Sequence, residues 1–288
     1  MFLSSKNLIR NASINYFQKN LVKLVNYQLD YCMFYNIKII FFDNMSLFND
    51  KLKKIHLKEL LAIIILLFFI YFLVNNFNIA HIDSVWVYIF IIIYFVIRLG
   101  NGLSYAKEDI LSVFTKNNLK LIGLVVVLNI FLSYGCLYLS GHVLNAYDAY
   151  LANSFIAGGL FATIVVSPIS EELIFRGVFL NRLQLVVPPI FAVLISSLLF
   201  ASLHSFGSIT SAFVFALCMA VLYLKTENIF VPIFAHFLNN LVAETIVALD
   251  VNNVMFENNL VVIAVSVLAV VSAILIMITL FKELNNLK

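Results

Sequence analysis

The sequence predicts an all-α, polytopic membrane protein with about eight transmembrane helices. Of its 288 residues, 63% are hydrophobic and only 11% are charged, whereas a soluble domain is about half apolar and about a quarter charged. The apolar residues also come in long blocks, several of which reach the roughly 20 residues that a helix needs to cross a bilayer. A surface of this composition needs a nonaqueous solvent, so we expect the chain to lie in a lipid bilayer.

The first 50 residues differ from the rest of the chain. They are rich in Asn, Lys, Tyr and Phe, and their longest apolar run is interrupted by Asn36 and Lys38. That run is too polar to span, and no short apolar segment precedes a small-residue cleavage site, as a signal peptide would require. We therefore expect an interfacial stretch, a disordered tail or an artefact of the assigned start. Met45 would open a natural membrane-protein N-terminus, so the first 44 residues are expected to be dispensable.

The rest of the chain divides into N-terminal transmembrane helices in 51–150, a core in 151–250 and a C-terminal transmembrane helix in 251–288. Ser167 and Pro168 interrupt the apolar pattern. Because Ser is a favoured N-cap and Pro is tolerated in the first helical turn, they predict a new helix that runs from Pro168 to about residue 186. The other predicted helices are 57–74, 85–99, 121–139, 152–166, 190–203, 209–224, 229–248 and 260–281.

The distribution of Lys and Arg predicts the orientation of the chain. Basic residues precede the first span and lie between the second and third, whereas 75–84 and 140–151 contain none. Since cytoplasmic loops carry the excess of Lys and Arg, we expect a multi-pass cell-membrane protein with a cytoplasmic N-terminus. The net charge of +3 is spread between apolar blocks and forms no basic domain, so nucleic acid is not an expected partner.

Ionisable residues within a span cost about 2.5–3.5 kcal/mol each to insert, and the second half of the chain contains several. In the segment EELIFR, Glu172 and Arg176 are four residues apart in the favourable order for an ion pair, which leaves Glu171 without an obvious local partner. Both carboxylates are expected in the first turn of the helix that Pro168 opens, where the helix dipole favours negative charge. Alone, the segment is also consistent with a charged interfacial turn.

Two further polar segments follow. His204 ends the apolar segment FASLH, and on its own it is consistent with a histidine in the interfacial zone. His236 and Asn240 lie four residues apart in VPIFAHFLNNL, on one face of a helix, and Glu244 continues that stripe. A hydrogen-bonded pair that only joins two helices would explain them as well.

Together these residues predict a site. If the Glu171 helix and the His204 helix pack antiparallel, as a short connection requires, the start of one lies beside the end of the other. His236 would then complete a polar chamber that can activate a water, directly or through a metal, and can offer donors to an oxyanion. There is no HExxH motif of the common zinc proteases.

The three segments resemble, in order and spacing, the signatures of the CPBP family of intramembrane peptidases. This CAAX protease and bacteriocin-processing (Abi) group includes the type II CAAX prenyl endopeptidases. The resemblance implies that Glu171 and His204 activate the hydrolytic water and that His236 and Asn240 stabilise the oxyanion. Glu172 and Arg176 would complete and orient the first motif.

The family is often described as metalloproteases, so the resemblance also implies that Glu171, His204 and His236 could bind Zn²⁺ or another divalent metal. A metal-free glutamate mechanism is equally consistent with these residues. The expected reaction is hydrolysis of a peptide bond in a membrane-associated, leader or CAAX-like peptide, with a peptide or membrane protein as the partner. A non-catalytic bacteriocin self-immunity or scaffolding protein is the alternative, and an ion-coupled transporter is a further one.

Overall fold

The structure is a computed structural model that describes residues 47–77, 82–144, 159–204, 209–250 and 252–286, almost all of them in helices. No strand occurs within these ranges, and the predicted all-α fold is confirmed. Residues 1–46, which carry the predictions about the N-terminal tail, lie outside the described residues. The helices of the first half are α1 (Leu47–Lys53), α2 (Leu57–Asn76), α3 (Val85–Leu99), α4 (Ala106–Val113) and α5 (Lys116–Leu144).

The second half contains the helices that carry the predicted site. They are α6 (159–183), α7 (Pro189–Ser202), α8 (Ile209–Thr226), α9 (Phe230–Leu249), α10 (Val254–Glu257) and α11 (Asn259–Asn285). In the described part of the chain, six helical segments are long and apolar enough to cross a membrane: α2, the run from α3 to α4, α5, α8, α9 and α11. The count of about eight membrane helices stays a prediction.

The predicted helix start at Ser167 and Pro168 is wrong. α6 continues through both residues: a π-helical turn, Ala162–Val166, leads into the α-helical turn Ser167–Glu172, and a second π-helical stretch, Leu173–Leu180, follows. Proline inside a regular α-helix clashes with the carbonyl four residues before it, and the wider π turn directly before Pro168 relieves that crowding. Glu171 and Glu172 therefore lie in the middle of a helix and not in its first turn.

The interior of the protein is built around α8. This helix packs against α5, α6, α7, α9 and α11, and its side chains Phe215, Met219 and Leu222 are buried. By contrast, α2 and α11 expose large apolar side chains such as Phe69 and Ile263. Such an outward apolar surface is what a bilayer solvates, since lipid tails replace water around it.

The short helix α1 packs beneath the second π-helical stretch of α6. Leu52 of α1 is fully buried, and a Cβ atom added at Gly177 would lie only 2.7 Å from Leu52 Cδ2. At the end of α6, Arg182 donates two hydrogen bonds, from Nε and Nη2, to the carbonyl of Ile55. Helix α1 and the residues directly after it thus contact the C-terminal half of α6, the helix that carries Glu171 and Glu172.

Candidate active site

Glu172 and Arg176 form an ion pair that is sealed inside the protein. Arg176 Nη1 donates to Glu172 Oε1 at 3.0 Å, and the two side chains are 1% and 0% exposed. The guanidinium also donates from Nη2 to the carbonyl of Ala216 and lies over the ring of Phe200, 4.6 Å from its centre. Buried charges are stable only when paired and hydrogen bonded, and α6, α7 and α8 together supply those partners.

His236 of α9 contacts both carboxylates of the Glu pair. Its Nδ1 donates to Glu172 Oε1 at 2.9 Å, and its Nε2 lies 4.0 Å from Glu171 Oε2. A carboxylate oxygen bonded to Arg176 can only accept, so Nδ1 must carry the proton. In a neutral imidazole, Nε2 then presents its lone pair toward Glu171.

Glu171 differs from Glu172 in its surroundings. Ser167, one turn earlier in α6, donates from Oγ to Glu171 Oε1, whereas Glu172 Oε1 accepts from Arg176 and His236. The second oxygen of each carboxylate, Oε2, has no hydrogen-bond partner. The Glu171 side chain is 14% exposed, against 0% for Glu172. Of the two adjacent carboxylates, Glu171 is therefore the more exposed one, although its Oε2 atom is itself buried.

His204 lies just beyond the end of α7 and is connected to this group through Phe200. Its Nδ1 donates to the Phe200 carbonyl at 2.9 Å, and the two rings are 4.6 Å apart between centres. The Phe200 ring lies 6.1 Å from the ring of His236. Because a carbonyl only accepts, His204 also has its proton on Nδ1 and a free lone pair on Nε2.

Asn240, one turn after His236 on α9, is tied to the first π turn of α6. Its Nδ2 donates to the carbonyl of Thr163 at 2.9 Å. The two backbone groups that would normally bond to this carbonyl are engaged elsewhere or missing, because the Ser167 N–H bonds to the Ala162 carbonyl and Pro168 has no N–H. The break in the backbone pattern that Pro168 causes therefore creates the acceptor to which Asn240 binds.

The structure thus brings four of the six predicted site residues, Glu171, Glu172, Arg176 and His236, into one cluster. Asn240 is hydrogen bonded to the same helix as the Glu pair. His204 contacts Phe200, whose ring lies beside that of His236. The sequence analysis missed Ser167 as the partner of Glu171 and the role of Phe200 between Arg176 and the two histidines. Spacing could have shown the first, since Ser167 and Glu171 are four residues apart on a helix.

A further neighbour of the cluster comes from the N-terminal half. Helix α3, which carries Tyr88, packs against the turn Ser167–Glu172. No pattern in the sequence near Tyr88 points to the site, because the contact depends on how α3 packs against α6.

The described side chains do not form a ready metal site. Within the described ranges, no group of three or more His, Cys, Asp and Glu side chains is arranged to hold a metal ion. The nearest donor pair is Glu171 Oε2 and His236 Nε2, 4.0 Å apart, and His236 Nδ1 is already bonded to Glu172. A zinc site needs three protein ligands about 2.0–2.2 Å from one ion, and metal binding by Glu171, His204 and His236 stays a prediction.

Comparison with protein families gives one match in the same part of the chain. The model of the family described as "Type II CAAX prenyl endopeptidase Rce1-like" matches residues 152–242. These residues form an Rce1-like domain. The match contains all six predicted site residues and confirms the resemblance that the three motifs suggested.

The Rce1-like domain begins within the core that the sequence predicted and ends in α9. Together with the apolar helices, it supports a CAAX protease-type enzyme of the membrane. No curated protein and no solved structure matches the chain.

Proposed function

We propose that the chain is an intramembrane endopeptidase that hydrolyses a peptide bond in a membrane-associated, leader or CAAX-like peptide. The observation that carries this proposal is the pair formed by Glu171 Oε2 and His236 Nε2. The two atoms are 4.0 Å apart, the carboxylate oxygen is without a hydrogen-bond partner, and both are acceptors that face each other. The Rce1-like domain around them favours peptide hydrolysis over other reactions of a water.

The spacing of these two acceptors suits a hydrolytic water. A water about 2.8 Å from each atom would subtend an angle of roughly 90° between them, close to its own bond angle. It could therefore donate one O–H to Glu171 and one to His236, which leaves its lone pairs directed at a substrate carbonyl. In the proposed step the water oxygen attacks the carbonyl carbon while one of its protons moves to Glu171 Oε2.

His204 is the second base of the proposed mechanism. Its bond to the Phe200 carbonyl holds the imidazole in the form whose Nε2 can accept a proton. A base that is oriented by a backbone carbonyl loses little freedom when it reacts. We infer that His204 assists Glu171 in activating the water and that the proton finally passes to the leaving amine.

His236 and Asn240 are the proposed oxyanion donors. For His236 to donate from Nε2 it must gain a second proton, which in this scheme is the water proton passed on from Glu171. The Glu172 carboxylate behind Nδ1 would stabilise the resulting cation until the proton passes to the leaving amine. Asn240 has two N–H donors, of which one bonds to Thr163, so the other is free for the oxyanion. Glu172 and Arg176 orient this machinery and do not contact the substrate.

The membrane setting of the proposal follows from the apolar helices. We propose a multi-pass protein of the cell membrane with its N-terminus in the cytoplasm, in agreement with the Lys and Arg before α2 and between α3 and α5. The substrate would reach the site as a membrane-bound peptide or protein. Its chemical identity beyond that class is open to a screen of prenylated CAAX peptides and leader peptides.

The test uses the full chain reconstituted in lipid vesicles with fluorogenic farnesylated CAAX and leader-type peptides. Glu171→Gln and His204→Ala should each lower the rate of cleavage at least about 100-fold. The control is Glu244→Gln, which makes the same change in a part-buried carboxylate on a different helix, α9. This variant should cleave the peptides at the wild-type rate.

Three other results would reject the proposal. Cleavage that survives the Glu171 and His204 changes would exclude this mechanism. Solute uptake that depends on Glu171, without any proteolysis, would indicate a transporter. Protection against a bacteriocin that persists in both variants would favour the non-catalytic alternative.

A further inference from the structure

Three asparagines form a continuous chain of hydrogen bonds from α5 through α9 to α6. Asn129 of α5 donates from Nδ2 to Asn239 Oδ1 at 2.8 Å. Asn239 donates from Nδ2 to Asn240 Oδ1 at 3.3 Å, and Asn240 donates to the Thr163 carbonyl at 2.9 Å. We call this chain the asparagine ladder. Asn129, at its far end, is 3% exposed and lies outside the Rce1-like domain.

The direction of every bond in the ladder follows from its last member. The Thr163 carbonyl can only accept, so the Asn240 amide must turn its nitrogen toward it. Asn240 Oδ1 then faces Asn239 and accepts from Asn239 Nδ2. Asn239 Oδ1 in turn faces α5 and requires the Asn129 nitrogen. The ladder therefore holds the Asn240 amide in one of its two orientations.

We propose that Asn129 and Asn239 are positioning residues that hold the Asn240 amide so that its second N–H points into the active site. This inference rests on the proposed function, in which Asn240 stabilises the oxyanion. It predicts that α5, far along the chain from the motifs, contributes to catalysis through two side chains that do not touch the substrate. A preorganised donor needs such support, because a small displacement from the oxyanion weakens its effect.

Leucine substitutions remove the ladder bonds and keep the approximate side-chain volume. With the full chain in vesicles and the farnesylated CAAX reporter, Asn129→Leu and Asn239→Leu should each lower kcat about 10-fold or more while KM stays unchanged. Asn129→Gln keeps the amide donor and should restore most of the lost kcat. Unchanged kcat in both leucine variants, or an equal loss in Asn129→Gln and Asn129→Leu, would overturn the proposal.

The matched control is Asn228→Leu. Asn228 is also buried, and it bonds to the Asp109 carbonyl and to Ser112 Oγ, so it has no bond to the ladder. This variant should lower the unfolding temperature yet keep the wild-type kcat per folded molecule. A kcat loss in Asn228→Leu as large as in Asn129→Leu would mean that the effect is general loss of packing, and would overturn the proposal.

A second measurement does not depend on activity. Thermal unfolding of Asn129→Leu, Asn240→Leu and the double variant tests whether the two residues are coupled through Asn239. If the ladder is intact, the shifts in unfolding temperature are not additive. Additive shifts would overturn the proposal. If the wild-type chain cleaves no peptide, the proposed function fails, and this cycle still decides whether the ladder positions Asn240.

Discussion

His236 Nδ1 lies 2.9 Å from Glu172 Oε1, and this hydrogen bond distinguishes Glu172 from the adjacent carboxylate, Glu171. Glu172 is fully buried and bonded to both Arg176 and His236. Each carboxylate keeps one oxygen without a hydrogen-bond partner, but the Glu171 side chain is 14% exposed and the Glu172 side chain 0%. The bond also fixes which imidazole nitrogen carries the proton, so that the lone pair on Nε2 faces Glu171. This difference agrees with the proposal that Glu171 takes part in the chemistry and that Glu172 supports it.

The first prediction concerns Glu171. In Glu171→Gln the amide oxygen can still accept from Ser167, but the side chain can no longer take a proton from water. We expect the rate of peptide cleavage to fall at least about 100-fold, as for loss of a general base. The unfolding temperature should not fall, since the change removes an unpaired buried oxygen charge.

Cleavage rates and thermal unfolding of the same vesicle preparation check this prediction. Glu171→Asp is the informative companion, because it keeps the carboxylate and shifts it by one methylene. It should retain measurable activity. A large drop in unfolding temperature for Glu171→Gln would show that Glu171 is structural.

The second prediction concerns Glu172 and Arg176. Substitutions of these residues should lower the free energy of unfolding more than they lower the rate of the chemical step. Glu172→Gln and Arg176→Met each leave one buried charge without its counter-charge, which costs about 3–5 kcal/mol of unfolding free energy. The double variant removes both charges and should recover much of that loss. Chemical denaturation of the four proteins in a double-mutant cycle measures the coupling. Independent, additive losses would contradict the view that the pair acts as a unit.

The sequence predicted which residues form the site, but it predicted individual bonds only where they are local. The pair of Glu172 and Arg176 could be read from a spacing of four residues on one helix. The bond between Glu172 and His236 joins residues 64 positions apart and depends on how α9 packs against α6. The bond between Asn240 and Thr163 could not be predicted either, because its acceptor is a carbonyl that the π turn leaves without its usual helical partner.

The fold was more predictable than the site. Long apolar blocks end at polar residues, so the bounds of α2, α3, α8 and α11 could be predicted to within a few residues. The error at Pro168 has a physical cause: proline ends a regular α-helix, but a π turn lets the helix continue through it. Pro168 favours such a turn, but the carbonyl that the turn leaves without a partner must be satisfied from another helix, here by Asn240, and the local sequence does not show that partner.

The third prediction follows from Pro168. Pro168→Ala gives the backbone an N–H that can bond to a carbonyl in the preceding turn and compete with Asn240 for Thr163. We expect the helix to gain stability, because alanine is the better helix former, while kcat falls as Asn240 loses its anchor. Cleavage rates and thermal unfolding measured together check for these opposite changes. Unchanged kcat would contradict a role of the Thr163 carbonyl in holding Asn240.

The fourth prediction concerns a metal. Because the described donors pair Glu171 with His236 and tie His236 Nδ1 to Glu172, we expect cleavage to survive dialysis against a strong chelator. Elemental analysis of the purified protein should accompany the assay. Loss of cleavage that Zn²⁺ restores would contradict the expectation. A His204→Ala variant that also loses bound zinc would then identify His204 as a ligand.

The last prediction tests the packing that holds α11 against α5. A Cβ atom added at Gly135 of α5 would lie 2.5 Å from the Cβ of Ala269 on α11, so the two helices touch at a pair of small residues. Such close approach stabilises helix pairs in membranes through dense packing. Gly135→Ala should therefore push the helices apart and cost about 1–3 kcal/mol of unfolding free energy, the range found for overpacked interiors.

The matched control for this contact exchanges the two small residues. Ala269→Gly removes the methyl group that the new Gly135→Ala side chain would meet, so the double variant should regain most of the lost stability. The single Ala269→Gly change should cost only about 1 kcal/mol, the ordinary helix-propensity difference between the two residues. Thermal unfolding in one lipid composition compares the four proteins. If the double variant is no more stable than Gly135→Ala alone, the methyl clash is not the cause of the loss, and α11 does not pack against α5 at this pair.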